Sequence, residues 1–326
     1  MSVTLNTATG RQGSKVVGLG HYRPERVVSN DELAKTIDTN DEWIRTRVGI
    51  AERHFAAPDE TVEQMGAKAG EQAIADAGLR PSDIDTVMVA TCTLPAQIRQ
   101  ASTKVASLLG IVSPGSFDIN AACAGFCYGL ANANSLIRSG EAGTVLLVGA
   151  EKLTDWVDPT DRANAIIFAD GAGAAVITGS DTAEVGPVVW GSEIEHTETI
   201  GTTVPERKIY QEGQTVFRWA TTKIPQLALD AVAKSGVQLS DIDVLVPHQA
   251  NLRIVDAIAR RLRAEGARED LRVADDIVTT GNTSSASVPI ALDRMRKAGT
   301  ARSGDLVLAV GFGAGLTYAG QVFRCP

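Results

Sequence analysis

Cys123 stands where a strand-like run, Phe117-Asp118-Ile119, turns through Asn120-Ala121-Ala122 into a helical pattern that Gly140 stops. A thiol at a helix start faces unpaired backbone N–H groups that carry roughly half a positive charge, which favours thiolate over thiol. Such a site lowers a cysteine pKa from about 8.5 into roughly the 3.5–7.5 range. The same N–H groups suit the oxyanion of a tetrahedral adduct. The expectation is a nucleophile at Cys123, while Cys127, one turn on, reads as a small buried hydrophobe.

A nucleophile needs partners. His248 ends the strand pattern Val244–Val246 in VPHQAN, and Asn282 lies in TTGNTSSASVP, ahead of the helical pattern SSASVPIALDRMRK. A glycine-rich turn, GFGAG at 311–315, follows the strand pattern Leu306–Val310 and precedes a second one, LTYAGQVFR. Such a turn joins two strands and exposes a backbone N–H to a small reacting group. Neither GxGxxG nor a Walker GK[ST] is present there, so a dinucleotide or triphosphate cradle is excluded. His21, His54 and His196 fall in loop-like polar contexts and give no comparable signal.

These residues need a scaffold, and 326 residues, 44% apolar and 21% charged, are enough to bury a large α/β core in two packed halves. The net charge of −8 argues against wholesale nucleic-acid binding. The four cysteines (Cys92, Cys123, Cys127, Cys325) form no CxxC and no zinc-type Cys/His cluster, so no metal site is expected. So few in a long chain fits a reducing compartment. The polar start MSVTLNTATGRQGSK and the lack of a long apolar run point to a cytoplasmic protein that spans no membrane.

Residues 1–14 read as a flexible tail, Lys15 to Gly20 as a first strand and Thr61 to Gly78 as a helix; DEWIRTRVGI, Asp41–Ile50, resembles no core element. AIADAGLRPSDID at 73–85 matches AVAKSGVQLSDID at 231–243, an offset of 158, and VLLVG at 145–149 matches VLAVG at 307–311, an offset of 162. Two co-linear matches predict duplicated α/β halves, 15–180 and 181–326, with mostly parallel sheets and helical layers. Adding about 160 to Cys123 lands beside Gly281-Asn282-Thr283, so the two helix starts should meet near a pseudo-twofold axis. Ligands of open α/β sheets bind beyond the carboxyl ends of strands, where all these turns lie.

Together, DINAACAGF, VPHQANLR, TTGNTSSASVP and GFGAGLTYAG resemble the β-ketoacyl-[acyl-carrier-protein] synthase III family of the thiolase superfamily, from about residue 15 to the C-terminus. The resemblance implies a five-layered αβαβα fold, a homodimer and a catalytic triad of Cys123, His248 and Asn282. It implies oxyanion donors at the backbone N–H groups of Cys123 and Ala314. The implied reaction is decarboxylative Claisen condensation of a short acyl-CoA with malonyl-[acyl-carrier protein] through an acyl-cysteine, with no permanently bound cofactor. The alternative on the same fold is acyl transfer to a hydroxyl or amine without decarboxylation. A thiolase would need a second cysteine in the C-terminal glycine turn, and residues 311–315 contain none.

The resemblance further implies CoA contacts at Trp43, Arg162, Arg47 and Asn251, the first two sandwiching the adenine. Carrier-protein docking falls on Arg218, Arg253, Arg260 and Arg261; Arg253 and Arg260 are seven apart and share a helix face. The primer pocket falls on Ile98 and Phe168. Ile98 occupies the place where the family lets a partner-subunit side chain close that pocket, and the chain between Ile194 and Gly213 is shorter than the family pattern. Both bear on primer choice, and neither alters the chemistry.

Overall fold

The computed structural model describes residues 7–95 and 98–326. Its first sheet contains β1 (Gly13–Tyr22), β2 (Thr86–Ala90), β3 (Gly115–Ile119), β4 (Thr144–Lys152) and β5 (Asp170–Ser180), in the order β1-β5-β4-β2-β3. The second contains β6 (Val189–Ser192), β7 (Val244–Pro247), β8 (Arg272–Val273), β9 (Leu306–Gly313) and β10 (Thr317–Arg324), in the order β6-β10-β9-β7-β8. The orders superimpose strand for strand. In the first sheet β2 runs parallel to β3 and β4, and β5 antiparallel to β4 and β1. The second repeats this, with β7 parallel to β8 and β9 and β10 antiparallel to β9 and β6.

Strands covered on both faces read as continuous apolar runs, as TVMVA of β2 does. Between the sheets lie α3 (Gly125–Ser139), which touches β1, β4, β9 and β10, and α6 (Ser287–Lys297), which touches β1, β5, β7 and β9. Outside the first sheet lie α1 (Val62–Asp76) and α2 (Ala101–Leu108); outside the second lie α4 (Gly213–Lys234) and α5 (Leu252–Ala264). The stack is α, β, α, β, α.

The two sequence repeats meet in one hydrogen-bond pattern. Asp85 Oδ2 accepts the Thr144 N–H at 2.9 Å, and Asp243 Oδ2 accepts the Leu306 N–H at 2.9 Å. Each aspartate ends the first repeat and holds the strand that carries the second, which is why both survived in register.

Four expectations change. Each sheet has two parallel and two antiparallel pairings, not mostly parallel ones. β1 begins at Gly13, so Gly13 and Ser14 belong to the sheet, and Ser14 Oγ donates to Asn134 Oδ1 at 2.9 Å. Asp41–Val48 is a helix whose Ile44 and Val48, with the following Ile50, are buried in a cluster that includes Phe168; its charged residues hid three apolar positions. His21 and His54 lie in strands, not loops: His21 Nδ1 meets Asp293 Oδ2 at 2.6 Å, and His54 donates to the Pro24 carbonyl at 2.6 Å.

Candidate active site

β3 and α3 are joined by a sharp turn that carries the sulfur. Asn120 Oδ1 accepts the Ala122 N–H at 3.1 Å, Ala122 has φ +46°, and a short 3₁₀ turn, Ala122–Ala124, leads into α3. The second half repeats this: Asn282 Oδ1 accepts the Ser284 N–H at 2.8 Å, Ser284 has φ +50°, and Ser284–Ala286 leads into α6. A non-glycine residue held in the left-handed region costs on the order of 1–3 kcal/mol, so both halves hold the same strained turn. By this register Asn282 mirrors Asn120, and Ser285 mirrors Cys123. The helix starts meet, as the repeat predicted, with the two catalytic-type residues three positions out of step.

Cys123 does not have the lowered pKa expected of a helix start. Burial among its neighbours pushes the thiol of half-buried Cys123 up to about 12; the Ser284 hydroxyl pulls the other way, and the Glu151 carboxylate adds to the rise.

His248 is 2% exposed, and burial lowers its pKa to about 3, so the ring is neutral across the working pH range. Its Nδ1 lies 2.7 Å from Ser287 Oγ, the first residue of α6, and that oxygen accepts the Gln249 N–H at 3.2 Å. A serine proton donated to Nδ1 would leave the ring proton on Nε2. Phe312 packs edge-on against the imidazole with centroids 5.2 Å apart.

Asn282 is 5% exposed and fixed by its backbone, which donates to Ile167 O and accepts from Ala169 N–H, both at 2.9 Å. Its Oδ1 is engaged by the Ser284 N–H, so the amide NH₂ is the end left to donate. Gly281, at φ +76°, precedes it; a Cβ there would lie 2.8 Å from Ala169 Cβ and 2.9 Å from Arg53 Cβ. Only glycine fits.

Cys123, His248, Asn282 and Ala314 line one cavity of about 340 Å³. Phe168 and Asn251 line it too. Asn251 caps α5, accepting the Arg253 N–H at 2.9 Å, and donates to Arg47 O at 3.2 Å, which ties that helix to Asp41–Val48. Trp43 has Arg162 over its ring at 4.1 Å and Arg47 at 5.4 Å. A group stacked at 4.1 Å leaves no gap for a purine, so the sandwich is closed in this structure. Arg253 stacks on Phe217 at 5.0 Å and shares a groove with Arg260, whereas Arg261 pairs with Glu265 at 2.6 Å, and Arg218 is exposed next to Phe217. Ile98 is fully exposed and does not reach the cavity of its own chain.

Several site residues escaped the sequence. Glu151 is fully buried; it accepts from Thr91 Oγ1 at 3.0 Å, Thr93 Oγ1 at 2.7 Å, Ser285 Oγ at 2.8 Å and the Cys92 N–H at 3.0 Å. Cys92 lines the cavity, with its Sγ 3.7 Å from Ser284 Oγ. A lone acidic residue ending the apolar run VLLVGA was the available signal for Glu151. The cavity wall also takes Trp156 and Trp219, which no motif marked, and the hairpin strands Ile200–Thr202 and Ile209–Gln211, within the 194–213 region that the resemblance ties to primer choice.

Comparison with known proteins gives the family of the chain. Residues 117–194 match the family model "3-Oxoacyl-[acyl-carrier-protein (ACP)] synthase III", and residues 232–325 match the model of its C-terminal part. β-Ketoacyl-[acyl-carrier-protein] synthase III 4 of Streptomyces coelicolor is 45% identical over 97% of this chain and 99% of its own. A mycobacterial β-ketoacyl-[acyl-carrier-protein] synthase III of Mycobacterium avium is 44% identical over 99% of this chain and 98% of its own. Among solved structures, the priming β-ketosynthase of a polyketide biosynthetic pathway matches with TM-score 0.94 and 41% identity, covering 99% of this chain and 98% of that one. The 3-oxoacyl-[acyl-carrier-protein] synthase III of Aquifex aeolicus matches with TM-score 0.91 and 36% identity, covering 96% of this chain and all of that one. A thiolase-type αβαβα fold with a cysteine, a histidine and an asparagine around one cavity is thus that of a condensing enzyme, and the chain belongs to the 3-oxoacyl-[acyl-carrier-protein] synthase III family.

Proposed function

We propose that the enzyme condenses a short acyl-CoA with malonyl-[acyl-carrier protein], losing CO₂ and forming 3-ketoacyl-[acyl-carrier protein], at the start of fatty-acid or polyketide synthesis. In the first half-reaction Cys123 Sγ attacks the acyl thioester carbonyl. Its proton ends on the departing CoA sulfur, and the acyl group stays on the enzyme. The backbone N–H groups of Cys123 and Ala314 take the developing oxyanion. In the second, the malonyl carboxylate leaves as CO₂, and the electron pair passes to the thioester enolate. His248 Nε2–H and the Asn282 NH₂ stabilise that charge, and the carbanion attacks the acyl-Cys123 carbonyl and frees the sulfur as a thiolate, which takes a proton from solvent to return to the thiol.

The observation that carries this reading is the orientation of Asn282. Its oxygen is held by the Ser284 N–H, so with a neutral His248 the cavity gains two uncharged donors and no base. Two neutral donors suit an enolate, whereas acyl transfer to a hydroxyl needs a proton acceptor. Intact-protein mass after incubation with acetyl- to isobutyryl-CoA, followed by malonyl-[acyl-carrier protein] and a CO₂ assay, tests it. Acylation without CO₂ release would favour the transferase alternative.

Trp43, Arg47, Arg162 and Asn251 receive CoA in this reading, with Arg162 swinging off the indole to admit adenine. Arg218, Arg253, Arg260 and Arg261 offer the acidic carrier protein a local positive face on an acidic molecule. A homodimer is supported by exposed Ile98, Val112 and Phe117 beside β3, the unpaired edge of the first sheet. No helix among the described residues is long and apolar enough to cross a membrane. The four free thiols fit a cytoplasmic setting.

A further inference from the structure

Arg53 lies in the strand Glu52–Phe55, opposite Val28 of the strand Arg26–Ser29, and is completely buried. Burial lowers its pKa to about 10, so it keeps its charge at neutral pH. Among the described residues no carboxylate pairs with it, and its Nε–H has no hydrogen-bond partner. A cation taken out of water in this way costs folding free energy that an apolar side chain of similar size would not, so packing alone does not account for it. Its Nη1 donates to the Val28 carbonyl at 3.2 Å and its Nη2 to the Ile166 carbonyl at 3.0 Å. The rigid fork of the guanidinium joins two segments at once, which the point charge of a lysine does not.

The segment that Arg53 holds is the one that holds Asn282. Residues 162–167 are turn, outside any helix or strand. The Ile167 carbonyl, next to that of Ile166, accepts the Asn282 N–H, and the Ala169 N–H donates to Asn282 O, both at 2.9 Å. Gly281, just before the asparagine, lies against Arg53 itself: a Cβ at 281 would be 2.9 Å from Arg53 Cβ. Arg53 thus meets both the residue before Asn282 and the turn that Asn282 bonds to, without lining the active-site cavity. We propose that Arg53 is a positioning residue for the decarboxylating half-reaction, which clamps the 166–169 turn and so sets where the Asn282 NH₂ points. This rests on the reading of Asn282 as a donor to the enolate. A donor displaced by about 1 Å costs about 10²-fold in rate, which is why a residue outside the cavity can govern the step. Cys123 is carried by the other half, on the turn after β3, and its acylation does not pass through this clamp.

The test compares single-turnover acylation by saturating acetyl-CoA with CO₂ release from malonyl-[acyl-carrier protein]. Arg53→Met, which keeps the length and removes the donors, should leave acylation within a few-fold and lower CO₂ release by about 10-fold or more. Arg53→Lys, which can reach one carbonyl at a time, should fall between that variant and the wild type. In the Asn282→Ala background, Arg53→Met should change CO₂ release by less than about two-fold, because a residue that acts through the amide has nothing left to position. If Arg53→Met fails to fold, Arg53→Lys carries the same comparison, with a smaller loss of CO₂ release that Asn282→Ala likewise masks. A folded Arg53 variant with wild-type CO₂ release overturns the proposal. So does an equal loss in both half-reactions, or a loss that multiplies with that of Asn282→Ala, since either marks a merely structural residue. Wild-type CO₂ release in Asn282→Ala alone would instead overturn the reading of Asn282.

Discussion

Gly313 packs directly against Cys123: a Cβ at 313 would lie 2.7 Å from the cysteine Cβ, 2.8 Å from its N and 3.1 Å from its Sγ. The end of β9 thus fixes how the nucleophile and its N–H stand toward Ala314. Gly313→Ala should displace the turn and cost about 10²–10³ in acylation rate, as loss of one oxyanion donor does. Rapid-quench acylation with acetyl-CoA, alongside a melting curve, checks it; near-native rates in a folded variant would contradict the assignment.

The two half-reactions should separate by residue. Cys123→Ala is expected to abolish acyl-enzyme. His248→Ala and Asn282→Ala should leave acylation within a few-fold and cut CO₂ release from malonyl-[acyl-carrier protein] by about 10²-fold or more. Equal loss of both steps in either variant would show that the donors serve the first as well. Ser287→Ala should act through His248: it removes the hydroxyl on Nδ1 and should lower the second step more than the first.

A thiol at about 12 has a definite alkylation profile. The rate of Cys123 carbamidomethylation by iodoacetamide should climb about 10-fold per pH unit from pH 7 to 10 without a plateau, read by peptide mass mapping. Levelling by pH 8 would indicate a thiolate. Stability follows with opposite signs at the two ends. The thiol's pKa is raised in the folded state, so its contribution is full below about 9 and falls as pH climbs toward 12. His248 is lowered to about 3, so its contribution is full above about 6.5 and is lost as pH falls toward 3. Urea titrations at a series of pH values should show both slopes, and His248→Phe should flatten the acid one.

Trp43 is covered by Arg162 before any nucleotide arrives. Trp43→Ala should raise the acyl-CoA KM about 10-fold, since a base stacked on an aromatic side chain contributes about 1–3 kcal/mol, with the rate at saturation unchanged. Acyl-pantetheine, which lacks the nucleotide, should show no difference between the two proteins. A change in its kinetics would make Trp43 a structural residue of its buried helix.

Much of this molecule is legible along the chain. The offsets of 158 and 162 arise because each half repeats the same aspartate-to-strand hydrogen bond, Asp85 to Thr144 and Asp243 to Leu306. The layered fold was implied by the family resemblance of DINAACAGF, VPHQANLR, TTGNTSSASVP and GFGAGLTYAG, and the structure brings Cys123, His248 and Asn282 of those motifs to one cavity. Local pattern fails wherever the deciding atoms come from far away. The Cys123 thiol is pushed up by burial to which Gly313 of β9 and Ser284, more than 150 residues on, contribute neighbours. Asn282 donates because its own turn claims the oxygen, and His248 stays neutral because Ser287 and Phe312 enclose it. The Asp41–Val48 helix resembled no core element because its buried face is two residues, Ile44 and Val48, in a charged run. Desolvation is a property of packing, and packing is assembled only when the two halves close on each other.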